Sequence, residues 1–229
     1  MKMVRNLFII FILAGVASMF AALALGYSDP VALGSAASHY VSKGLAELNG
    51  VNIVTSVVVT YRGLDTLGEV TVLFLTASIL SFFLKNRSHE TKSESSELLT
   101  TASKVIFPFI FMTGLYIVMN GHLTPGGGFQ GGAVMASALL LLILADNKTD
   151  GSPTLFTVLE SVSGIFYVLT GVAGLIIAGG FLDATVLGAG ITGRLLSAGA
   201  IPLISTLIGL KVGSELSTML VKLKNASEV

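Results

Sequence analysis

Long apolar runs alternate with short polar interruptions along this chain. The runs cover residues 7–26, 67–84, 105–120, 129–145, 154–178 and 199–221. A helix crossing a bilayer needs about 20 mostly apolar residues, and each run approaches that length. The pattern predicts an all-α polytopic protein of the cell membrane, with about six transmembrane helices. Residues 7–26 follow Lys2 and Arg5, as the apolar stretch of a signal peptide would. Their full membrane length and the five later runs favour a retained first helix.

The interruptions divide the chain. Residues 27–50 read as an outer loop with a short helix over about 35–48. NIVTSVVVTYRG, 52–63, is apolar but too short to span. It reads as a half-helix or interfacial segment; its valines also allow a β reading, which suits lipid poorly. KNRSHETKSESSELLTTASK, 85–104, is a polar cytoplasmic connector between a two-span unit, 1–84, and a four-span unit, 105–229. At DNKTDGSP, 146–153, Ser152 is placed to cap the next helix, with Pro153 at its first position.

Basic residues orient the spans. With the amino terminus in the cytoplasm, Lys2, Arg5, Lys85, Arg87, Lys92, Lys104, Lys148, Lys222 and Lys224 fall inside. Lys43, Arg62 and Arg194 fall outside. This positive-inside bias predicts that both termini are cytoplasmic.

Composition narrows the chemistry. Only 11% of residues are charged, about half the share in a soluble domain. The net charge is zero, which gives no support for a nucleic-acid partner. With no cysteine, the chain cannot supply thiolates to zinc or to iron–sulfur clusters. No catalytic residue, metal site or cofactor is predicted.

What remains is a sparse set of polar residues. In GHLTPGGGFQGG, 121–132, glycine and proline occupy seven of twelve positions. The run reads as a tight reversal allowing close helix packing, or as a broken helix whose amides and carbonyls contact water or an ion. His122 is its one group that titrates near neutrality, although it equally suits satisfying carbonyls at a helix end. Gln130 is placed to hydrogen-bond backbone or water. Pro125, Gly126, Gly127 and Gly128 supply the turn, without the Lys-Ser/Thr ending of a phosphate loop.

Lys211 lies near the middle of the last span, with some 15 Å of helix on each side. Its ammonium must face protein, a carboxylate or water. Glu215, four residues on, shares that face; the pair is either a proton-exchanging site or an inert ion pair. Gly209 and Gly213 lie on roughly the opposite side, placed for close packing against a different helix. Glu160, in the first third of the fifth span, reads as a proton acceptor at a channel entrance or as a wet interfacial carboxylate. Thr66 and Glu69 have capping-box spacing. Arg62 and Asp65 are expected to form a buried pair beside them.

Two long stretches carry a resemblance. NIVTSVVVTYRGLDTLGEVTVLFLTA, 52–77, resembles the signature of the small MbhE-like membrane protein, which also occurs near the carboxyl end of the large MrpA subunit. GHLTPGGGFQGG, with the apolar helix that follows it, resembles that of MrpB, called MbhF in membrane-bound hydrogenases. IGLKVG, 208–213, is similar to the last-helix pattern of the same subunit. The resemblance implies a fused subunit of an Mrp-type sodium/proton antiporter module, coupled to a respiratory or hydrogenase-type complex. It also implies other Mrp-type subunits as partners, including the large antiporter-like ones, with a hydrogenase or sulfur-reductase arm as a further one. Lys211, Glu215, Glu160 and His122 are then candidates for a proton or sodium path. Arg62, Asp65, Thr66, Glu69, Pro125, Gly126, Gly127, Gly128 and Gln130 become structural or coupling residues. Where many relatives place an acid before the aromatic–Arg pair, this chain has Thr60. The alternative is an assembly subunit that conducts no ions.

Overall fold

The computed structural model describes residues 2–27, 32–84, 96–145 and 152–227. Its helices are α1 (Lys2–Gly26), α2 (Ser35–Leu48), α3 (Ile53–Ser56), α4 (Gly63–Phe83), α5 (Glu97–Met119), α6 (Gly128–Ala145), α7 (Pro153–Ile177) and α8 (Ile201–Ser227). Six of them, α1 and α4 to α8, are long and apolar enough to cross a membrane. Residues 85–95 of the expected connector and 146–151 of the second turn lie outside the described residues.

The chain forms two compact units, Met1–Ser38 and His39–Val229. In the first, α1 is one uninterrupted helix with its described side chains exposed. The second unit is built around α8. This helix packs against α4, α5, α6 and α7 and is the most buried of the spans. Apolar side chains in lipid gain little from leaving it, so contact between spans depends on close packing and polar bonds. The α8 sequence supplies both. Ile201, Ile204, Ile208 and Val212 join Leu48, Val59, Tyr167 and Leu182 in an apolar cluster. From its middle onward, the buried side chains include Lys211, Ser214, Glu215, Ser217 and Thr218.

The segment 52–63 is helical. Asn52 caps α3, which continues as a wider π-turn over Val57–Tyr61 before α4 begins at Gly63. This early start overturns the capping box. Arg62, not Thr66, occupies the N-cap position, and it makes no side-chain capping bond. Thr66 lies inside the first turns, where its hydroxyl donates to the Val58 carbonyl at 2.6 Å. That bond ties the π-turn to α4. Arg62 and Asp65 do pair at 2.6 Å, but both side chains are more than half exposed (60% and 57%). Their charges stay in a wet setting, so the expected burial is also corrected. Ser152 caps α7 as expected, accepting from the Leu155 amide at 3.4 Å, with Pro153 following.

Candidate functional site

The glycine run joins α5 to α6 and lets three helices meet. A Cβ on Gly128 would lie 2.5 Å from the Ser205 carbonyl oxygen of α8. One on Gly132 would lie 2.8 Å from the Gly209 carbonyl oxygen, and one on Gly131 would lie 2.6 Å from that of Gly114 in α5. Glycine is what permits these approaches.

The carbonyls of the turn are taken by the segment before α3. The Asn52 amide group donates to Gly121 and Thr124, each at 2.8 Å, and the Asn52 backbone amide donates to His122 at 2.9 Å. The Thr55 hydroxyl donates to Gly126 at 3.0 Å. Four turn carbonyls are thus bonded within the chain rather than held open for an ion, which favours the packing reading of the run. Sequence reading missed Asn52 and Thr55, although an Asn–Thr pair three apart ahead of an apolar run was the available cue.

His122 is fully buried. Its Nε2 donates to the Arg194 carbonyl at 3.2 Å, tying the turn to the loop before α8, while Nδ1 has no partner among the described residues. Burial holds the imidazole below its ordinary range, and the bond to Arg194 acts in the opposite direction. A histidine neutral in the fold takes a proton more readily when unfolded, so the unfolded state gains as pH falls below about 6.5. The unfolding temperature in detergent should therefore drop on acidification, and His122→Gln should flatten that dependence. An unchanged slope in the variant would count against this burial effect.

Glu69 lies exposed on α4 and, with Thr76, Phe129, Gln130, Ala133 and Leu216, lines a cavity of about 730 Å³. Pro125 and Gln130 are exposed, at the tip of the turn and on the first turn of α6 respectively. A second cavity, of about 720 Å³, is bordered by Glu47, Tyr61, Arg62, Asp65 and Asp183. There the Tyr61 hydroxyl donates to Glu47, which holds that carboxyl below its usual range.

Among the described residues, three charged side chains meet on the other face of α8. Two residues along a helix turn by about 200°, so Gly209 and Gly213 face α6 while Lys211 faces away. The Lys211 Nζ stands 3.4 Å from Glu215 Oε2 and 3.9 Å from Glu160 Oε1 of α7. It also lies 5.0 Å from the centre of the Phe74 ring on α4, a favourable cation–π placement. The side chains of Lys211, Glu160 and Glu215 are 10%, 14% and 0% exposed. Gly164, one turn beyond Glu160, leaves space in which the lysine stem lies; a Cβ there would be 3.6 Å from Lys211 Cδ. Glu160 and Lys211 were legible as separate charges in apolar runs. Their meeting, and the part of Phe74, required the packing of α4 and α7 on α8.

Lower on the same helix, Lys222 Nζ donates to the Ser81 hydroxyl of α4 at 2.6 Å. The cluster thus combines one ammonium and two carboxylates within a helix bundle. Such groups are costly in a membrane and ordinarily face the bundle interior or a hydrated path.

Known proteins share this architecture. Residues 98–218 match the domain related to the MnhB subunit of Na+/H+ antiporter, and residues 1–101 match the MbhE family, a subunit of MBH. An uncharacterised protein of Methanocaldococcus jannaschii is 32% identical over 197 residues, 73% of this chain and 74% of that protein. The B-type member of the Na+/H+ antiporter of Bacillus subtilis is 37% identical over 91 residues, 38% of this chain and 64% of that protein. A chain of the membrane-bound sulfane sulfur reductase, an archaeal respiratory membrane complex, superposes with a TM-score of 0.80 at 39% identity. That match covers 96% of this chain and 98% of the other. A chain of the Mrp complex from Dietzia sp. DQ12-45-1b gives a TM-score of 0.74 at 22% identity. It spans 97% of this chain and 26% of that one, and shows a common fold. With these matches over both halves, the chain belongs to the MnhB-related family of Na+/H+ antiporter subunits, as a multi-pass membrane protein with an MbhE-like portion ahead of its MnhB-like portion.

Proposed function

We propose that this chain helps move protons or cations within an Mrp-type antiporter module, and that the Glu160–Lys211–Glu215 cluster lies on the path. The observation that carries the reading is the placement of an ammonium between two carboxylates, buried among α4, α7 and α8. Burying three charges costs stability that a packed apolar cluster would not, so a site that retains them invites a functional explanation.

In this reading both termini are cytoplasmic and residues 85–104 are the cytoplasmic connector between a 1–84 unit and a 105–229 unit. The chain works among other Mrp-type membrane subunits, the large antiporter-like ones included. The likeness to a sulfane sulfur reductase chain over nearly its whole length supports coupling to a respiratory arm. Sodium is the proposed cation, on the strength of the family's description.

Glu160 is the member of the cluster nearest the surface of α7. Glu160→Gln should lower sodium-dependent proton exchange several-fold in vesicles containing the assembled complex, with the chain still co-purifying. Normal exchange in that preparation would overturn a place for Glu160 on the path.

A further inference from the structure

We infer that the cluster is a binding site for one proton rather than for sodium, with Glu215 as the resident carrier. This deepens the reading above and rests on it for its place in transport. Two carboxylates around one ammonium leave one surplus negative charge. That charge lies among membrane-length helices, where an uncompensated ion is costly. One bound proton neutralises it.

The surroundings decide which ligand fits. A hard cation takes a shell of several oxygens. Here the Lys211 ammonium already stands beside both carboxylates, 3.4 Å from Glu215 and 3.9 Å from Glu160. The nearby hydroxyls turn back on their own helices. Ser214 donates to Leu210 and Lys211 carbonyls at 2.7 and 3.0 Å, Thr218 to Ser214 at 2.9 Å, and Ser163 to Leu159 at 2.6 Å. Phe74, Val212 and Gly164 offer no further oxygen from their side chains. A sodium ion placed on these carboxylates would meet the like charge of the ammonium beside them, whereas a proton needs only one oxygen.

Burial separates the carboxylates. Glu215 has no exposed surface, and neither of its oxygens has a hydrogen-bond partner among the described residues. Glu160 reaches the rim, with 14% of its side chain exposed. The charges acting on Glu215 are Lys211 of its own helix and Glu160 of α7. Helix α6 carries none, α4 presents Phe74 and carries Glu69 on the cavity bordered by Val212 and Leu216, and α5 carries Glu97 and Lys104 towards its start. An acidic proton on Glu215 therefore satisfies the surplus at the innermost position. In the transfer step, side-chain rotation first closes the 3.9 and 3.4 Å gaps to hydrogen-bond length. The Lys211 ammonium then gives a proton to the Glu160 carboxylate and takes one from the Glu215 acid. Lysine ends as it began, Glu215 is left as a carboxylate, and Glu160 holds the proton at the rim.

Infrared difference spectra of the assembled complex, recorded against pH in sodium and in choline buffers, test this directly. The wild-type minus Glu215→Gln spectrum should contain one carboxylic-acid carbonyl band that shifts in deuterated water and is the same in both buffers. Glu215→Asp should move that band without removing it, which keeps the test usable where the glutamine variant fails to assemble. No difference band at any pH, a band abolished by sodium, or a band unmoved in Glu215→Asp would overturn the inference. These spectra do not depend on transport, so their failure is separable from a failure of the ion-path reading, which flux measurements alone decide.

Discussion

Lys211→Met removes sodium-dependent proton exchange, by tenfold or more, from vesicles carrying the complex, while the complex still assembles. Methionine is unbranched and similar in reach, so it fills the space beside Gly164 and Phe74 without a large void. Losing one partner of a buried pair normally costs about 3–5 kcal/mol because a bare charge remains. Here both remaining groups are carboxyls and each can be neutralised by a proton, which blunts that penalty. What cannot be replaced is an ammonium within reach of both Glu160 and Glu215.

Lys211→Arg separates proton exchange from simple charge pairing. Arginine keeps a positive charge but does not release its proton under ordinary conditions. A pairing role predicts that arginine restores exchange; a relay role predicts that it does not, despite normal co-purification. Wild-type exchange in Lys211→Met would rule out both roles for this side chain in transport.

The helices were legible because bilayer length is a blunt constraint: an apolar run of the required length has few other uses. Their ends were less so. Helix α5 begins at Glu97, ahead of its apolar run, because polar residues continue a helix beyond the lipid without changing its backbone. The misplaced start of α4 shows the same weakness more sharply. Thr66 and Glu69 match a capping spacing, but the signal says nothing about whether the chain is already helical at Gly63.

For the site, charge in an apolar run identified Lys211, Glu215 and Glu160, since the membrane makes such residues rare. Helical phase also anticipated glycines on one side of α8 and the lysine on the other. It did not reveal which neighbour filled each side. That information lies in contacts between residues far apart in the chain, such as Lys211 with Phe74 or Asn52 with Gly121.

Gly128→Ala weakens the fold through α6 and α8, by about 1–3 kcal/mol, as overpacked interiors do. The added methyl would meet the Ser205 carbonyl oxygen at 2.5 Å and Ile208 Cβ at 2.7 Å. The first of these is backbone and cannot rotate away, so the two helices must part. Separation is transmitted, because Gly132 rests against Gly209 and Gly213 one turn further along the same seam. Losing that seam disturbs the helix that carries Lys211 on its other side. Gly68→Ala supplies the comparison: a Cβ at Gly68 meets nothing within 4 Å, and alanine is the better helix former by about 0.5–1 kcal/mol. Unfolding of the purified complex in detergent should thus show a lower midpoint for Gly128→Ala and an equal or higher one for Gly68→Ala. Equal midpoints for the two variants would mean that the α6–α8 seam tolerates a side chain, and that close approach is not why glycine stands at 128.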